Sequence, residues 1–375
     1  EIPRVVAQQV YFPTAYFCMA PFALLQSSHA YLLWSAFTVG TISIAAFLVW
    51  TLAQEYAPNA AFYLVALVLA NCGIVFAGGN PAGLAIGLCL VAVWCFVEEK
   101  YVYVGVFCLA LSLELKPHDT GLVWLYFLLA GGVHRKRALQ TLALTVALAL
   151  PALLWIFHVS PHWMQELSAN LAVPSAPGEI NSSNSSPISD PITSTISKSG
   201  AGTIIDLQTL TSVFSSDPRL YNTLAYVISG SLLVGWMVVT LRSRSSLSRD
   251  YLAVAIIAPL TMLPVYHRPH DAILLILTIP ACTMLLAEGG WLGGIALFLN
   301  SIAILITAAI PLGMLEILTK NWQVPAVGGP FNTVVALFAR PIPAILLALA
   351  SFYLWVLVRR FPNKARAPDT CEQHV

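Results

Sequence analysis

Two short segments hold most of the residues that could do chemistry. The first reads LSLELKPHDTGL and contains Glu114, Lys116, His118 and Asp119. A lysine ammonium can bind a phosphate group as a compact point charge, and Pro117 frees backbone groups because it ends the preceding helix. In the alternative interpretation, Lys116 extends towards water and pairs with Glu114 or Asp119. The local spacing favours neither interpretation.

The second segment reads MLPVYHRPHDAILL and places His267, Arg268, His270 and Asp271 within five positions, between two apolar runs. Arg268 can bind a phosphate bidentately. Either histidine can donate to a leaving phosphate or position a sugar hydroxyl, and Asp271 can accept from hydroxyls or orient a histidine. One alternative is a solvated loop. Another is a divalent metal on His267, His270 and Asp271, although Pro269 interrupts their spacing and the sequence offers no i, i+4 pair on one helix.

A third feature is the corner Gly78-Gly79-Asn80-Pro81, which separates two apolar runs. It is either a simple turn or an unwound corner beside a ligand, with Asn80 as a polar contact. The sequence has neither a G-x-x-x-x-G-K-[ST] loop nor a G-x-G-x-x-G loop after a strand. An enzyme of this kind would therefore take its donor from a lipid.

The composition predicts that lipid is the solvent for most of the chain. Of 375 residues, 58% are hydrophobic and only 9% are charged, whereas soluble domains carry roughly 25% charged residues. Helices are then expected because they satisfy their own backbone groups. The net charge of +1 and the lack of a basic domain argue against nucleic acid as a partner. The predicted class is an all-α, polytopic transmembrane helical bundle surrounded by membrane lipids.

Apolar runs predict about eleven spanning helices, since a span needs about 17 to 25 residues. Several runs are short, which indicates helices that end below the membrane surface beside a cavity. The prolines at 13 and 21 make a further run, 13–26, a re-entrant or interfacial segment. The predicted spans are 29–53, 60–77, 80–97, 101–115, 119–133, 138–158, 221–241, 251–266, 271–289, 291–312 and 331–357.

Basic clusters orient these spans. Lysine and arginine concentrate at 134–137, 242–249 and 359–366, and basic loops stay in the cytoplasm. One set of spans is consistent with all three clusters. The loop 159–220 and both ionisable segments then lie on the extracytoplasmic face of a multi-pass cell-membrane protein.

The predicted organisation is one transmembrane domain, 1–358, followed by a cytoplasmic tail, 359–375. Within the extracytoplasmic loop, the stretch 175–202 is rich in Ser, Pro, Asn and Gly and is expected to be mobile. The flanks of this stretch, including Trp163 and Phe214, are expected to dock onto the bundle.

The order of several short strings resembles glycosyltransferase family 87. The strings are Tyr11-Phe12-Pro13 with Pro21 and Trp34, then Gly79-Asn80, then Leu115-Lys116-Pro117-His118, then a basic turn, then Tyr266-His267. The resemblance covers about residues 10–290. The best-known members of the family are polyprenyl-phosphate-mannose-dependent α-1,2-mannosyltransferases with the multi-helical GT-C fold.

The resemblance implies transfer of a hexose, such as mannose, from a polyprenyl-phosphate donor to a hydroxyl of a lipid or glycan acceptor. No cofactor is expected, and a divalent metal stays an open alternative. The candidate substrate-binding residues are Tyr11, Asn80, Lys116, His118, Asp119, His267, Arg268, His270 and Asp271.

The sequence departs from the family pattern at three positions. Phe12 stands where the family usually has proline, and Asn80 and His118 stand where it usually has glutamine. The family's catalytic aspartate precedes the first string. Only ten residues precede Tyr11, and Glu1 is their one carboxylate. We therefore expect the general base to lie upstream of Glu1 in a longer protein, and this chain alone to be inactive.

Two other functions fit the same features. A transporter or flippase for a lipid-linked or anionic solute would use the same cationic cavity, although no internal repeat supports inverted halves. A membrane assembly factor would leave both ionisable segments without a role. An enzyme needs a carboxylate in the first outer loop of the full-length protein, and a transporter does not.

Overall fold

The computed structural model describes residues 11–172, 204–212, 214–215, 217–243, 246–308 and 341–361. Within these ranges the chain is mostly helical and contains no strand. The helices are α1 Pro13–Ala23, α2 Ser27–Gln54, α3 Pro58–Asn71, α4 Gly73–Gly78, α5 Pro81–Val97, α6 Val102–Leu115, α7 Pro117–Ala130, α8 Gly132–Val159, α9 Trp163–Ala172, α10 Leu207–Thr211, α11 Pro218–Arg242, α12 Leu247–Met262, a 3₁₀ helix Pro269–Thr278 that continues as α13 Ile279–Ala287, α14 Trp291–Ile306 and α15 Pro341–Arg360. The all-α prediction is confirmed for this part of the chain.

Prolines mark the first residue of several helices. Pro13, Pro58, Pro81, Pro117 and Pro218 each begin one. A proline at this position loses nothing, because the first backbone N–H groups of a helix have no partner within it. These residues therefore fix where the chain turns.

The predicted spans correspond to helices with a few changes. The run 60–77 is broken at Cys72, and the run 271–289 begins as a 3₁₀ helix. The end of the run 291–312, beyond residue 308, and the first part of the run 331–357 lie outside the described residues. Helix α15 begins at Pro341. In the described part of the chain, five helices are long and apolar enough to cross a membrane: Ser27–Gln54, Gly132–Val159, Pro218–Arg242, Pro269–Ala287 and Pro341–Arg360.

Helices at the periphery turn apolar side chains outward, which fits a membrane protein. On α8, Leu154 and Trp155 are 63% and 68% exposed, and on α11, Val227 and Val234 are about as exposed. Contiguous apolar faces of this kind are uncommon in soluble monomers. In contrast, every residue of α12 from Arg249 to Met262 is buried. Helix α12 is therefore central to the bundle.

The flanks of the predicted extracytoplasmic loop differ from each other. Trp163, at the start of α9, is buried as predicted, but Phe214 is 63% exposed. The prediction that Phe214 docks is wrong. The short helix α10, which precedes Phe214 in the chain, docks instead, and its Leu207 is fully buried. The stretch 175–202 and the tail beyond 361 lie outside the described residues.

Glycine allows α5 and α6 to approach closely. A Cβ atom at Gly105 would lie 2.7 Å from the Cβ of Cys95 and 2.8 Å from a ring carbon of Phe96. Neither neighbour can move without shifting a buried helix. This contact therefore fixes α6, whose C-terminal end carries Lys116 to the site.

We expect Gly105→Ala to lower the free energy of unfolding by about 1 to 3 kcal/mol, the usual cost of overpacking. Gly230→Ala is the matched control, because no described residue lies within 4 Å of a Cβ at that helical position. It should leave stability unchanged or raise it by about 0.5 to 1 kcal/mol. Thermal unfolding in detergent, followed by circular dichroism, measures both. Equal stability of the two variants would contradict the close-packing explanation.

Candidate functional site

Lys116 lies at the centre of the site, in the connection between α6 and α7. Its side chain is almost completely buried, and Nζ lies 2.5 Å from Oδ1 of Asp271 and 3.1 Å from Oδ2 of Asp119. Pro117 begins α7 and so places Asp119 in its first turn, where the helix dipole favours a negative charge. One ammonium group thus joins carboxylates that are far apart in the sequence.

Asp271 is firmly held by its neighbours. Its Oδ2 accepts a hydrogen bond of 2.9 Å from the backbone N–H of Arg268, while its own N–H donates to the Arg268 carbonyl. Oδ1 accepts from Lys116 and lies 3.4 Å from Nε2 of His270. Both carboxylate oxygens of Asp271 therefore have partners.

The surroundings of the Asp119 carboxylate differ from those of the Asp271 carboxylate. Neither of the Asp119 carboxylate oxygens has a hydrogen-bond partner among the described residues, although both are buried. Oδ1 lies 3.2 Å from Nε2 of His267 and 3.4 Å from Nε2 of His118, without the alignment of hydrogen bonds. The His267 ring is oriented by its other nitrogen, since Nδ1 lies 2.8 Å from the carbonyl oxygen of Val265 and can donate to it.

The loop that carries His267 is supported from behind by the segment around α10. The N–H of Ile205 donates to the carbonyl of His267 over 3.0 Å, and the side-chain amide of Gln208 donates to the carbonyl of Pro264 over 2.7 Å. These bonds satisfy buried backbone carbonyls that no helix satisfies. They hold the loop in one conformation.

The two ionisable segments meet in the structure, because Lys116 and His267 both contact the carboxylate of Asp119. Of the two partners expected for Lys116, only Asp119 pairs with it. Glu114 does not, and its buried Oε1 has no hydrogen-bond partner in the part of the chain that the structure describes. Lys116 is only 5% exposed and so does not extend into water. The sequence did not predict its second partner, Asp271.

A half-open cavity of about 480 Å³, the polar cavity, lies against this cluster. Seven of the nine predicted site residues line it: Tyr11, Asn80, Lys116, His118, Arg268, His270 and Asp271. The other two, Asp119 and His267, are fully buried beside it. Asn80 also caps α5, since its Oδ1 accepts from the N–H of Ala82 over 2.9 Å.

A second cavity of about 310 Å³, the aromatic cavity, shares Tyr11 with the first. Trp155 and Trp163 line it together with Glu166 and Asn170. The sequence did not reveal this cavity, because its walls come from α1, α8 and α9. Only the expected docking of Trp163 pointed to the region.

The charges at the polar cavity balance. Lys116 and Arg268 are cationic, and Asp119 and Asp271 are anionic. The ammonium of Lys116 lies within ion-pair distance of both carboxylates, and Nε2 of His267 lies 3.2 Å from Oδ1 of Asp119. The lysine is therefore charged, and its charge is already compensated.

A second polar cluster, absent from the sequence predictions, lies near the opposite end of α7. The hydroxyl of Tyr126 donates to Asp250 over 2.6 Å, and Arg249 pairs with the same carboxylate over 2.8 Å. His134 approaches Asp250 to 3.6 Å. The sequence interpretation used Arg249 only as part of a basic loop, yet its side chain is buried. A tyrosine within an apolar span was the one available signal.

No protein-family model matches the chain, and no curated protein or solved structure shows significant similarity to it. A proposal for the function of this chain therefore rests on its sequence, its fold and the geometry of the site.

We expect Lys116→Met to lower the free energy of unfolding by about 3 to 5 kcal/mol, because it leaves two buried carboxylates uncompensated. Adding Asp271→Asn to this variant should recover part of the lost free energy of unfolding, because it removes one of the two uncompensated charges. Thermal unfolding of the wild type, both single variants and the double variant gives the coupling energy. Lys136→Met, at an exposed position, is the control and should change stability by about 0.5 kcal/mol or less. Additive effects of Lys116→Met and Asp271→Asn would contradict the ion pair.

Proposed function

We propose that this chain belongs to a polytopic membrane glycosyltransferase that moves a hexose from a polyprenyl-phosphate donor to an acceptor hydroxyl at the extracytoplasmic face. The observation that carries the proposal is the convergence of two distant ionisable segments on one cavity. Ionisable residues at membrane depth are costly and usually functional. The choice of hexose transfer, with mannose as one candidate sugar, rests on the resemblance to glycosyltransferase family 87.

The proposed topology is a GT-C-like bundle of about eleven spans, with α1 re-entrant or interfacial. Helices α6 and α7 have 14 residues each, so each is about 21 Å long at 1.5 Å per residue. The hydrocarbon core is about 30 Å thick. The junction of these helices at Lys116 would therefore lie below the membrane surface, where a lipid-linked donor can reach it laterally.

The polar cavity suits the phosphate end of such a donor. Its volume falls within the range of about 300 to 1,000 Å³ that is usual for small-molecule sites. Arg268 offers a planar fork for phosphate oxygens, and His118 and His270 offer further nitrogen atoms at the cavity wall. Phe12 and Leu171 add apolar surface for the first part of the lipid.

The aromatic cavity suits an acceptor. The rings of Trp155 and Trp163 can cover the apolar face of a sugar, and Glu166 and Asn170 can bind its hydroxyl groups. Because Tyr11 lines both cavities, an acceptor in one would approach a donor in the other. Two adjoining cavities favour a two-substrate transferase over a transporter of one solute.

In the proposed reaction the acceptor hydroxyl attacks the anomeric carbon, its proton passes to a carboxylate, and the polyprenyl phosphate leaves. A carboxylate acting as general base needs a free negative charge. Asp119 and Asp271 both pair with Lys116, so we assign them to holding Lys116 rather than to removing this proton. Positioning and stabilisation of the leaving phosphate supply most of the remaining effect.

The full-length protein, incubated with a panel of polyprenyl-phosphate hexoses and a glycolipid acceptor, should release polyprenyl phosphate as the sugar is transferred. Arg268→Gln should reduce kcat/KM for the donor by about 10- to 150-fold, since a hydrogen bond to a charged group is worth about 1.5 to 3 kcal/mol. Arg219→Gln is the control, because Arg219 is exposed and does not line the polar cavity. It should stay within about twofold of the wild type.

Two results would count against the proposal. Movement of a lipid-linked sugar across liposome membranes without any transfer would favour the transporter. Equal effects of Arg268→Gln and Arg219→Gln would remove the polar cavity from the reaction.

The topology has a separate test on α8, whose 28 residues span about 42 Å. Single cysteines replace Lys136 and His162, which are exposed near its two ends. Both variants also carry Cys371→Ser, so that the cysteine of the predicted tail is not labelled. A membrane-impermeant maleimide should label His162→Cys in intact cells and Lys136→Cys only after permeabilisation. Labelling of both from the same side would exclude this orientation.

A further inference from the structure

We propose that His118, Asp119 and His267 form a binding site for one divalent transition-metal ion. The metal site is inferred from the positions of its ligand atoms, and only its part in donor binding rests on the proposed function. His118 lines the polar cavity, whereas Asp119 and His267 are buried beside it, and the three residues come from two separate segments of the chain. The sequence had suggested a different set of ligands, His267, His270 and Asp271.

The distances fit a small metal ion. A nitrogen of each histidine and an oxygen of Asp119 all lie within 4.8 Å of one another. The oxygen Oδ1 is 3.2 Å from Nε2 of His267 and 3.4 Å from Nε2 of His118. Two ligand atoms each about 2.0 to 2.1 Å from a tetrahedral Zn²⁺ are about 3.3 to 3.4 Å apart. Small side-chain movements would therefore complete the coordination.

Two of the buried ligand atoms have no hydrogen-bond partner among the described residues. They are Oδ1 of Asp119 and Nε2 of His267, and an unsatisfied buried polar atom is costly. The second nitrogen of His267 contacts the Val265 carbonyl. A hydrogen bond of this kind is the usual way in which a metal-binding histidine is oriented. The side chain of His118 is 42% exposed, so an ion can enter from the polar cavity.

The alternative ligand set fits less well. Both oxygens of Asp271 already have partners, in Lys116 and in the backbone N–H of Arg268. Asp119 also pairs with Lys116, but through Oδ2, which leaves Oδ1 for a metal. Two histidines and one carboxylate suit Zn²⁺, Co²⁺ or another first-row ion better than Mg²⁺ or Ca²⁺, which prefer oxygen ligands.

A metal would also change the charge of the polar cavity. The charges of Lys116 and Arg268 are balanced by those of Asp119 and Asp271, so these four residues give an anionic donor no net attraction. A divalent ion on His118, Asp119 and His267 would leave the cavity with a net positive charge. It would lie beside the position proposed for the donor phosphate, where a cation stabilises a leaving oxygen.

The test uses the purified full chain in detergent, stripped with a chelator and titrated with Co²⁺ alone. We expect one Co²⁺ per chain, with the visible absorption of a low-coordinate nitrogen and oxygen site. His118→Asn should weaken binding by more than about 100-fold, since even outer partners of a ligand contribute about 10- to 100-fold. His270→Asn is the matched control from the same cavity and should leave Co²⁺ affinity unchanged. Thermal unfolding without metal checks that each variant is folded.

Two outcomes would overturn the proposal. One is the absence of saturable Co²⁺ binding by the folded wild-type chain. The other is weaker binding in His270→Asn together with wild-type binding in His118→Asn, which would favour the other ligand set. Neither measurement depends on sugar transfer, so the metal site and the proposed function can fail separately.

Discussion

The burial of Lys116 between Asp119 and Asp271 is the constraint on which the site depends. An uncompensated charge in an apolar interior is very costly, and removal of one partner from a buried ion pair usually costs several kcal/mol. The three charges must therefore stay together. Because they come from the junction of α6 with α7 and from the start of the 3₁₀ helix, their pairing fixes these elements against each other.

Helix α7 carries polar contacts near both of its ends. Asp119 lies in its first turn, and Tyr126, seven residues later, is about 10 Å further along the axis. The hydroxyl of Tyr126 donates a hydrogen bond to Asp250, at the start of the buried helix α12. The loop after α12 places His267 next to Asp119. Helices α7 and α12 are thus joined at two levels by polar contacts. Such a frame can hold the cavity in one shape within an apolar bundle.

The two aspartates next to Lys116 have different roles. Asp271 is satisfied on both oxygens by the ammonium and by a backbone N–H, which makes it a structural anchor. Asp119 has the ammonium on one side and two histidine nitrogens on the other, but its carboxylate accepts no hydrogen bond from the described residues. Because Oδ1 of Asp119 faces two histidine nitrogens, Asp119 rather than Asp271 is the carboxylate placed to bind a metal ion together with histidines.

The sequence by itself determined the features that depend on near neighbours. Prolines such as Pro81 and Pro117 marked where helices begin, apolar runs marked the helices, and the density of ionisable groups marked the two site segments. Only the tertiary structure decided that Asp271 pairs with Lys116 across 155 positions, and that Asp119 rather than Asp271 faces two histidines. The tertiary structure also brought together the residues of α1, α8 and α9 that line the aromatic cavity. These contacts depend on how helices pack against each other, and the periodicity of one helix does not encode which helix lies beside it.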